Sequence, residues 1–387
     1  MTRLTAYVCG LVAIDLALFS AIVPLLPGIS DRLDLSKLES GVLLGSFSLA
    51  VVVASVPVGH LADRAGMRAV TVAGSLLTAA ATAMFALGGS FPVLVLSRAG
   101  QGIGSAVAWS AGLAWLAART PLERRGAAIS LANASATGGM IAGPLLGGAV
   151  ASAVGVRAAF LGAAGVSLGL AGWGLTEADA RAHEERETSL RPAVRAATRE
   201  PWIAVSLGLI VLVALVGGTL QVLMPLHLGA EGVSQSSLGL LYALGAVLGA
   251  VTITVTGRVS DRRGRLPIAR IACPLLGAAV AVLLVPLGTA LFAGMLVVLA
   301  PMQSVLYGVG YPLSADGADR AGLGHGLVLG LVNLIWGVGA VVGPVAGAAV
   351  ADALGDRAAY AMLVALSFAM GAAVARVASR SARAATL

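Results

Sequence analysis

Two charged side chains fall deep inside long apolar segments of this sequence. Asp15 interrupts the run CGLVAIDLALFSAIVPLLP (9–27), and Arg98 interrupts an apolar segment that covers residues 91–118. Counting about 1.5 Å of helix per residue from Leu4 places Asp15 roughly 16 Å into its segment. Because a charge costs free energy in an apolar medium, ionisable residues at such depth are typical of proton and substrate sites in membrane proteins.

Proton exchange is the chemistry that Asp15 could perform, with Arg98 as its modulator. Burial favours the neutral form of a carboxylic acid, whereas a nearby guanidinium favours the carboxylate. The other acids fall in loops or at segment ends, so the sequence predicts a single carboxylate at mid-membrane depth. Structural interpretations stay open: Asp15 could be hydrogen-bonded between helices, and Arg98 could bind Gln101 or carbonyl groups.

Membrane-spanning helices must position these residues. The chain has 387 residues, of which 58% are hydrophobic and 11% charged, and its mean hydropathy is +0.95. This composition predicts an all-α membrane protein with twelve transmembrane helices, numbered here as spans 1 to 12. The predicted cores are 5–27, 39–60, 69–89, 91–118, 126–151, 158–176, 203–226, 237–257, 267–287, 290–313, 323–351 and 358–378.

The distribution of basic residues predicts the orientation. Most of the 25 lysines and arginines fall on the side that carries both termini, and four fall on the other side: Arg32, Lys37, Arg157 and Arg357. The positive-inside rule then places both termini in the cytoplasm of a multi-pass inner-membrane protein. It also accounts for the net charge of +7 without a nucleic-acid partner. The arginine-, alanine- and glycine-rich composition indicates a bacterial source.

The two halves of the sequence repeat each other. LANASATGGMIAGPLLG (131–147) aligns with LVNLIWGVGAVVGPVAG (331–347), and GHLADRAG (59–66) aligns with GRVSDRRG (257–264) at nearly the same spacing. The sequence therefore predicts a six-helix half at 1–176, a cytoplasmic linker at 177–201 and a second six-helix half at 202–387. An even number of spans per half makes this a parallel repeat about an axis along the membrane normal.

These motifs resemble the major facilitator superfamily along essentially the whole chain. GHLADRAGMR (59–68) resembles the family's loop between spans 2 and 3, LSRAGQGIG (96–104) its span 4 motif, and GGMIAGPLLGG (138–148) the span 5 motif associated with antiporters. The acid followed by VPLLP is similar to span 1 of the drug:proton antiporter branch, which includes bacterial multidrug efflux proteins and vesicular amine transporters. The resemblance implies two six-helix halves that work by alternating access.

Two groups of residues acquire expected roles from this resemblance. Glycines and prolines that permit close helix packing or bend a helix are expected to serve packing and hinge roles: Gly139, Gly143, Pro144, Gly147, Gly343 and Pro344. The resemblance implies that the face formed by the three glycines of span 5 meets span 8. A conformational latch is expected from Gly59, Asp63, Arg64, Arg68, Asp261 and Arg262. In it, Asp63 would face the N-terminus of span 11 near 322–326, and Asp261 would face span 5 near Gly126. Ordinary packing and an ordinary loop turn are the alternatives.

Neutral polar residues at cavity depth are candidates for lining a substrate site, although each could equally be a satisfied contact between helices. They are Asn133, Gln221, Tyr242, Gln303, Tyr307, Asn333 and Trp336. The sequence departs from the vesicular amine transporters at Asn333, where they have an acid, and near Ser48, where they have a lysine. This departure favours one proton per cycle and argues against strict amine specificity.

The expected function is proton-coupled efflux of small amphipathic compounds, cationic drugs among them. Export of a neutral solute such as a sugar or amino-acid derivative is the alternative within transport, and a membrane sensor or channel is the alternative outside it. No enzyme activity is expected, since the sequence offers no metal cluster, no nucleophile with a base and no soluble catalytic domain. We expect no cofactor beyond the proton gradient, no metal, and a monomer whose partners are substrate, protons and lipid.

Overall fold

A computed structural model describes residues 2–179, 194–195 and 199–385, with side chains up to residue 380. Within these residues the chain forms helices joined by short connections, and no strand occurs among them. The prediction of an all-α membrane protein is confirmed. The predicted linker falls largely on residues 180–193 and 196–198, which lie outside the described part.

Six spans make up the described N-terminal portion. Span 4 consists of three consecutive pieces, a helix over Phe91–Val107, a π-helical segment over Ala108–Gly112 and a helix over Leu113–Arg119. The other five are continuous helices: span 1 Arg3–Leu33, span 2 Lys37–Ala65, span 3 Met67–Leu87, span 5 Leu122–Val154 and span 6 Val156–Leu175.

Six further spans follow residue 200. They are span 7 Pro201–Ala230, span 8 Gln235–Arg263, span 9 Arg265–Ala281 with a 3₁₀ turn at Val282–Leu284, span 10 Thr289–Ala321, span 11 His325–Leu354 and span 12 Asp356–Ala385. Among the described residues, eleven helices are long and apolar enough to cross a membrane. The predicted span that is missing from these eleven is span 4, because its π-helical segment divides it into shorter helices.

Most helices extend beyond the predicted apolar cores because caps, not hydropathy, set their ends. Span 10 continues to Ala321, where Gly322 closes it in the left-handed conformation with φ 65°. Spans 2 and 3 are separated by Gly66 alone (φ 92°), and spans 8 and 9 by Gly264 alone (φ 83°). Such positive φ values favour glycine. The same turn at the two repeated motifs shows the sequence repeat in the backbone.

A glycine face on span 5 lets this helix pack closely against span 1. A Cβ at Gly139 would meet the backbone of Ala13, and one at Gly143 would meet the backbone of Ala17. Gly147 continues this face beside Ala21. The expectation that this face meets span 8 therefore differs from the structure, since the three glycines pack on span 1. Pro144 and Gly148, on another side of span 5, are the residues that approach span 8, at Gly239.

The equivalent glycine face of span 11 packs against span 7. Gly343 lies against the backbone of Ala214 and Leu215, and its carbonyl accepts a hydrogen bond from the Thr219 hydroxyl at 2.9 Å. The Pro344 ring approaches Gly218. Spans 1 and 5 and spans 7 and 11 are thus the same helix pair in the two repeats.

The chain divides into two compact units. The first comprises Met1–Arg186 and Pro225–Ala243, and the second comprises Glu187–Met224 and Leu244–Leu387. In the first unit the most extensive helix contacts join spans 1 and 5, 2 and 4, and 3 and 6. In the second, span 9 packs against span 12. The end of span 7 and the start of span 8 belong to the first unit. The division into two halves by a linker at 177–201 stays a prediction.

Candidate functional site

The buried carboxylate of Asp15 is the centre of the candidate site in the first unit. Asp15 is only 6% exposed although it lies mid-way along span 1. Its Oδ2 accepts two hydrogen bonds from span 4, from the Ser105 hydroxyl at 2.9 Å and from the Trp109 indole N–H at 2.8 Å. Its other oxygen, Oδ1, makes no hydrogen bond to the described protein. These two donors stabilise an ionised carboxylate that apolar surroundings disfavour.

Arg98 is fully buried and occupies the same polar face of span 4 as Ser105. Its guanidinium donates to the Gln101 side chain at 2.8 Å and to the Leu18 carbonyl at 3.4 Å, and it lies 4.7 Å from the centre of the Phe47 ring. Gln101 in turn donates to the Thr82 hydroxyl at 3.1 Å. Arg98 therefore joins spans 1, 2, 3 and 4 through its Nη1 bonds and its contact with Phe47, while its buried Nε has no hydrogen-bond partner among the described residues.

Asp15 and Arg98 are neighbours without being an ion pair. Arg98 reaches Leu18, one turn beyond Asp15 on span 1, and among the described residues no nitrogen–oxygen contact within 4.0 Å joins the two side chains. The sequence left two interpretations of Arg98 open, a structural bond to Gln101 or a carbonyl and a charge close to Asp15. The position of Arg98 is compatible with both. A carboxylate without a paired cation keeps access to its protonated form.

The sequence interpretation missed the two residues that bind Asp15. Ser105 and Trp109 are neutral, so their cost in a membrane is small and they do not stand out as charges do. Their spacing carried a signal, because Arg98, Gln101, Ser105 and Trp109 recur at helical intervals along one face. The π-helical segment Ala108–Gly112 contains Trp109, and π-helical turns are frequent at functional sites.

A small cavity lies behind Asp15 inside the first unit. Its volume is about 20 Å³. Besides Asp15, its polar lining consists of hydroxyl side chains from spans 3 and 6: Thr71, Ser75, Thr78 and Ser167. Leu11, Ile14 and Leu170 contribute apolar walls. None of these hydroxyls was a predicted site residue.

Aromatic and amide side chains of spans 10 and 11 form a second polar cluster in the second unit. The Trp336 indole donates to the Tyr307 hydroxyl at 2.9 Å, and the Tyr311 hydroxyl donates to the Asn333 side chain at 3.3 Å. The rings of Tyr307 and Tyr311 stack with centroids 6.3 Å apart. The structure thus brings together three of the predicted cavity residues and adds Tyr311, which the sequence interpretation missed.

The remaining cavity candidates are distributed over both units. Gln221 and Gln303 lie in the second unit, and the Gln303 amide donates to the Leu299 carbonyl at 3.2 Å. Asn133 and Tyr242 lie in the first unit, where Asn133 is exposed and Tyr242 half-buried.

The latch candidates differ between the two repeats. In the second unit, Arg265 pairs with Asp261 at 3.5 Å and with Asp316 on span 10, while Arg262 is exposed. In the first unit, Asp63 and Arg64 are exposed near Gly59 at the end of span 2. Met67 stands where the second repeat has Arg265.

Arg68 instead connects its loop to the residues that follow span 6. Its backbone N–H donates to the Asp179 carboxylate at 3.1 Å, and its guanidinium donates to the Glu177 carbonyl at 3.3 Å. The Glu177 side chain accepts from the Trp173 indole at 2.9 Å and pairs with Arg3 at 3.5 Å. Asp179 thereby supplies an N-terminal acceptor to span 3, which has no side-chain cap of its own.

Comparison with known proteins fits this arrangement of repeated helices. A family model for the Major Facilitator Superfamily matches residues 8–324. The chain belongs to the Major Facilitator Superfamily. It shares its fold with the crystal structure of a bacterial homolog of the human lysosomal transporter Spinster, inward-facing and occupied, with a TM-score of 0.78 and 18% identity over 97% of this chain and 96% of that chain. The predicted fold is confirmed.

Two curated members of this superfamily are similar to the chain in sequence. Multidrug resistance protein 2 of Bacillus subtilis is 29% identical over 147 residues, which cover 38% of this chain and 36% of the relative. The synaptic vesicular amine transporter of Mus musculus is 24% identical over 334 residues, 82% of this chain and 62% of the relative. The chain spans less than two thirds of either relative's length. It is a multi-pass membrane transporter, and its kinship with transporters supports a role other than catalysis.

The described part of the chain contains no cluster of potential metal ligands. No group of three or more His, Cys, Asp or Glu side chains there could hold a metal ion. Cys9 and Cys273 are both buried and unpaired with each other.

Proposed function

We propose that this transporter exports small amphipathic compounds, cationic ones among them, in exchange for protons. The observation that carries the proposal is Asp15, a buried mid-span carboxylate that two neutral donors hold without a cation partner. Burial favours its protonated form and the two donors favour its ionised form, so neither form is excluded energetically. A group of this kind can load a proton from one side of a membrane and release it on the other.

Alternating access would couple this proton to the substrate. In the proposed cycle, ionised Asp15 favours substrate binding from the cytoplasm, and protonation from outside favours release. Asp63 and Asp261, with the basic residues beside them, would stabilise one facing by contacts that exist only in that facing. The proposed setting is a bacterial inner membrane with both termini in the cytoplasm, as the basic residues predict. We propose a monomer that needs the proton gradient and no cofactor.

The aromatic cluster of the second unit supports an amphipathic, partly cationic substrate. Tyr307, Tyr311 and Trp336 lie together on neighbouring spans and are all partly exposed. Aromatic faces attract both apolar rings and organic cations. The names of the two relatives, a multidrug resistance protein and a vesicular amine transporter, agree with this substrate class.

Export of a neutral solute is a second candidate, favoured by a different observation. Asp15 is buried and its Oδ2 already accepts two hydrogen bonds, so a substrate needs a rearrangement to contact that oxygen. The polar groups near the aromatic cluster are neutral: Asn333 binds Tyr311, and Gln303 lies one turn before Tyr307 on span 10. Neutral hydrogen-bonding groups suit a sugar or an amino-acid derivative, while Asp15 would still carry the proton.

Purified protein in liposomes with an acidic interior tests both candidates. We expect the wild type to accumulate a cationic dye as protons leave, and Asp15→Asn to lose this uphill accumulation. Asp31→Asn is the matched control, because Asp31 is an exposed acid on the same helix and should leave accumulation intact. Uphill accumulation by Asp15→Asn would contradict the proton role. Accumulation of a neutral sugar in place of the dye would favour the second candidate.

A further inference from the structure

The cavity behind Asp15 combines apolar walls with four hydroxyl side chains that have already donated their hydrogens. Thr71, Ser75 and Thr78 line it from span 3 and Ser167 lines it from span 6. Each hydroxyl donates its hydrogen to the carbonyl four residues earlier in its own helix, at distances of 2.7, 2.9, 3.0 and 3.0 Å. A hydroxyl that donates in this way offers only lone pairs to the cavity.

One oxygen of Asp15 belongs to the same set. Oδ2 faces span 4, where it accepts from Ser105 and Trp109. Oδ1 has no hydrogen-bond partner in the described protein, although Asp15 lines the cavity and is only 6% exposed. A donor bound in the cavity would give Oδ1 the hydrogen bond that no described protein group supplies.

Size and chemistry select the occupant. A cavity needs roughly 10–15 Å³ to hold a water molecule, which also needs two to four polar partners. The cavity offers about 20 Å³ and five polar residues in its lining. We propose that this cavity binds a single water molecule, hydrogen-bonded to Asp15 Oδ1, which rotates as Asp15 gains and loses its proton.

The water would satisfy Asp15 in both protonation states. It donates to Oδ1 when the carboxylate is ionised, and its second hydrogen reaches a hydroxyl oxygen of span 3 or 6. When Asp15 carries a proton on Oδ1, that O–H donates to the water, which then donates both of its hydrogens to hydroxyl oxygens. Because the hydroxyls that line the cavity act only as acceptors, protonated Asp15 is the one donor among these polar groups. The orientation of the water therefore depends on whether Asp15 is protonated.

The surroundings of Asp15 contain few charges that could take over this role. Among the described spans packed against span 1, Arg98 on span 4 is the charged group near Asp15, and it is engaged with Gln101 and Leu18. The Tyr7 hydroxyl, about two turns away along span 1, faces Ser75, but Tyr7 does not line the cavity. The inference rests on the proposed function, because it names the solvent partner of the same carboxylate.

The double variant Thr71→Val/Thr78→Val tests the inference, since it replaces two cavity hydroxyls by methyl groups of similar shape. Thr137→Val is the matched control, because Thr137 makes the same bond to the carbonyl four residues earlier on span 5 but does not line the cavity. X-ray radiolytic labelling detects water beside buried side chains. We expect labelling of Leu11 and Leu170 in the wild type and the control, and its loss in the double variant.

Dye binding measured against pH supplies the second readout. Without the water the ionised form loses a charge-assisted hydrogen bond, which is stronger than the neutral bond that the protonated form loses. We therefore expect dye affinity near neutral pH to fall about tenfold in the double variant and to recover at higher pH. Absence of labelling in the wild type, or unchanged affinity in the double variant, overturns the water site. Loss of proton coupling in Asp15→Asn would then still support the proposed function, so the two failures are distinguishable.

Discussion

Replacing Trp109 by phenylalanine removes the indole N–H that Asp15 accepts at 2.8 Å and keeps an aromatic ring in its place. A hydrogen bond to a charged group contributes about 1.5–3 kcal/mol. Trp109 is half-buried, which places the expected loss near the lower end of this range. Since about 1.4 kcal/mol corresponds to a factor of ten, the ionised form of Asp15 should become about tenfold less populated relative to the protonated form.

Binding of a cationic dye, followed over a series of pH values in detergent, measures this change. If ionised Asp15 binds the substrate, the pH at which Trp109→Phe reaches half of its maximal affinity should rise by about one unit. Trp173→Phe is the matched control, because its indole donates to Glu177 at 2.9 Å and does not contact Asp15. Superimposable pH profiles of the wild type and Trp109→Phe would refute the reasoning. A shift of the same size in Trp173→Phe would refute it equally.

Three further substitutions test the packing and the substrate cluster. Gly139→Ala should lower the free energy of unfolding by about 1–3 kcal/mol because of the Ala13 backbone, whereas Gly138→Ala, which faces open space, should leave the thermal midpoint unchanged. Arg98→Lys should lower the midpoint by the equivalent of about 2 kcal/mol, because lysine loses the planar guanidinium that lies 4.7 Å from the centre of the Phe47 ring, and an unchanged midpoint would contradict this contact. Tyr307→Phe leaves the Trp336 indole without its acceptor and should weaken dye binding roughly three- to tenfold in equilibrium titrations; equal affinity would separate the aromatic cluster from the substrate site.

Charge and repetition were the features that the sequence could reveal. Asp15 and Arg98 stood out because an ionisable residue inside an apolar helix has few structural reasons to exist. The helix-breaking glycines at Gly66 and Gly264 also follow from the repeated motif, since each residue occupies the same turn. The twelve spans followed from the apolar segments, and the superfamily followed from the resemblance of motifs such as GHLADRAGMR (59–68).

Contacts between neutral side chains could not be predicted in the same way. Ser105 and Trp109 bind Asp15 because the helices pack in one register, and the π-helical segment that contains Trp109 depends on that packing. The partner of the span 5 glycines was likewise undetermined by their spacing, which permits close approach to any helix. Spans 1 and 8 both approach span 5, and only the structure assigns Gly139 and Gly143 to span 1.

The hydrogen bond between Trp109 and Asp15 also has an optical consequence. Indole fluorescence responds to a charge at its N–H, so the emission of Trp109 should change when the carboxylate becomes neutral. The chain contains five tryptophans. Replacing the other four by phenylalanine would leave Trp109, which is hydrogen-bonded to Asp15, as the single tryptophan. Stopped-flow pH jumps could then measure the rate at which Asp15 is protonated without an added dye.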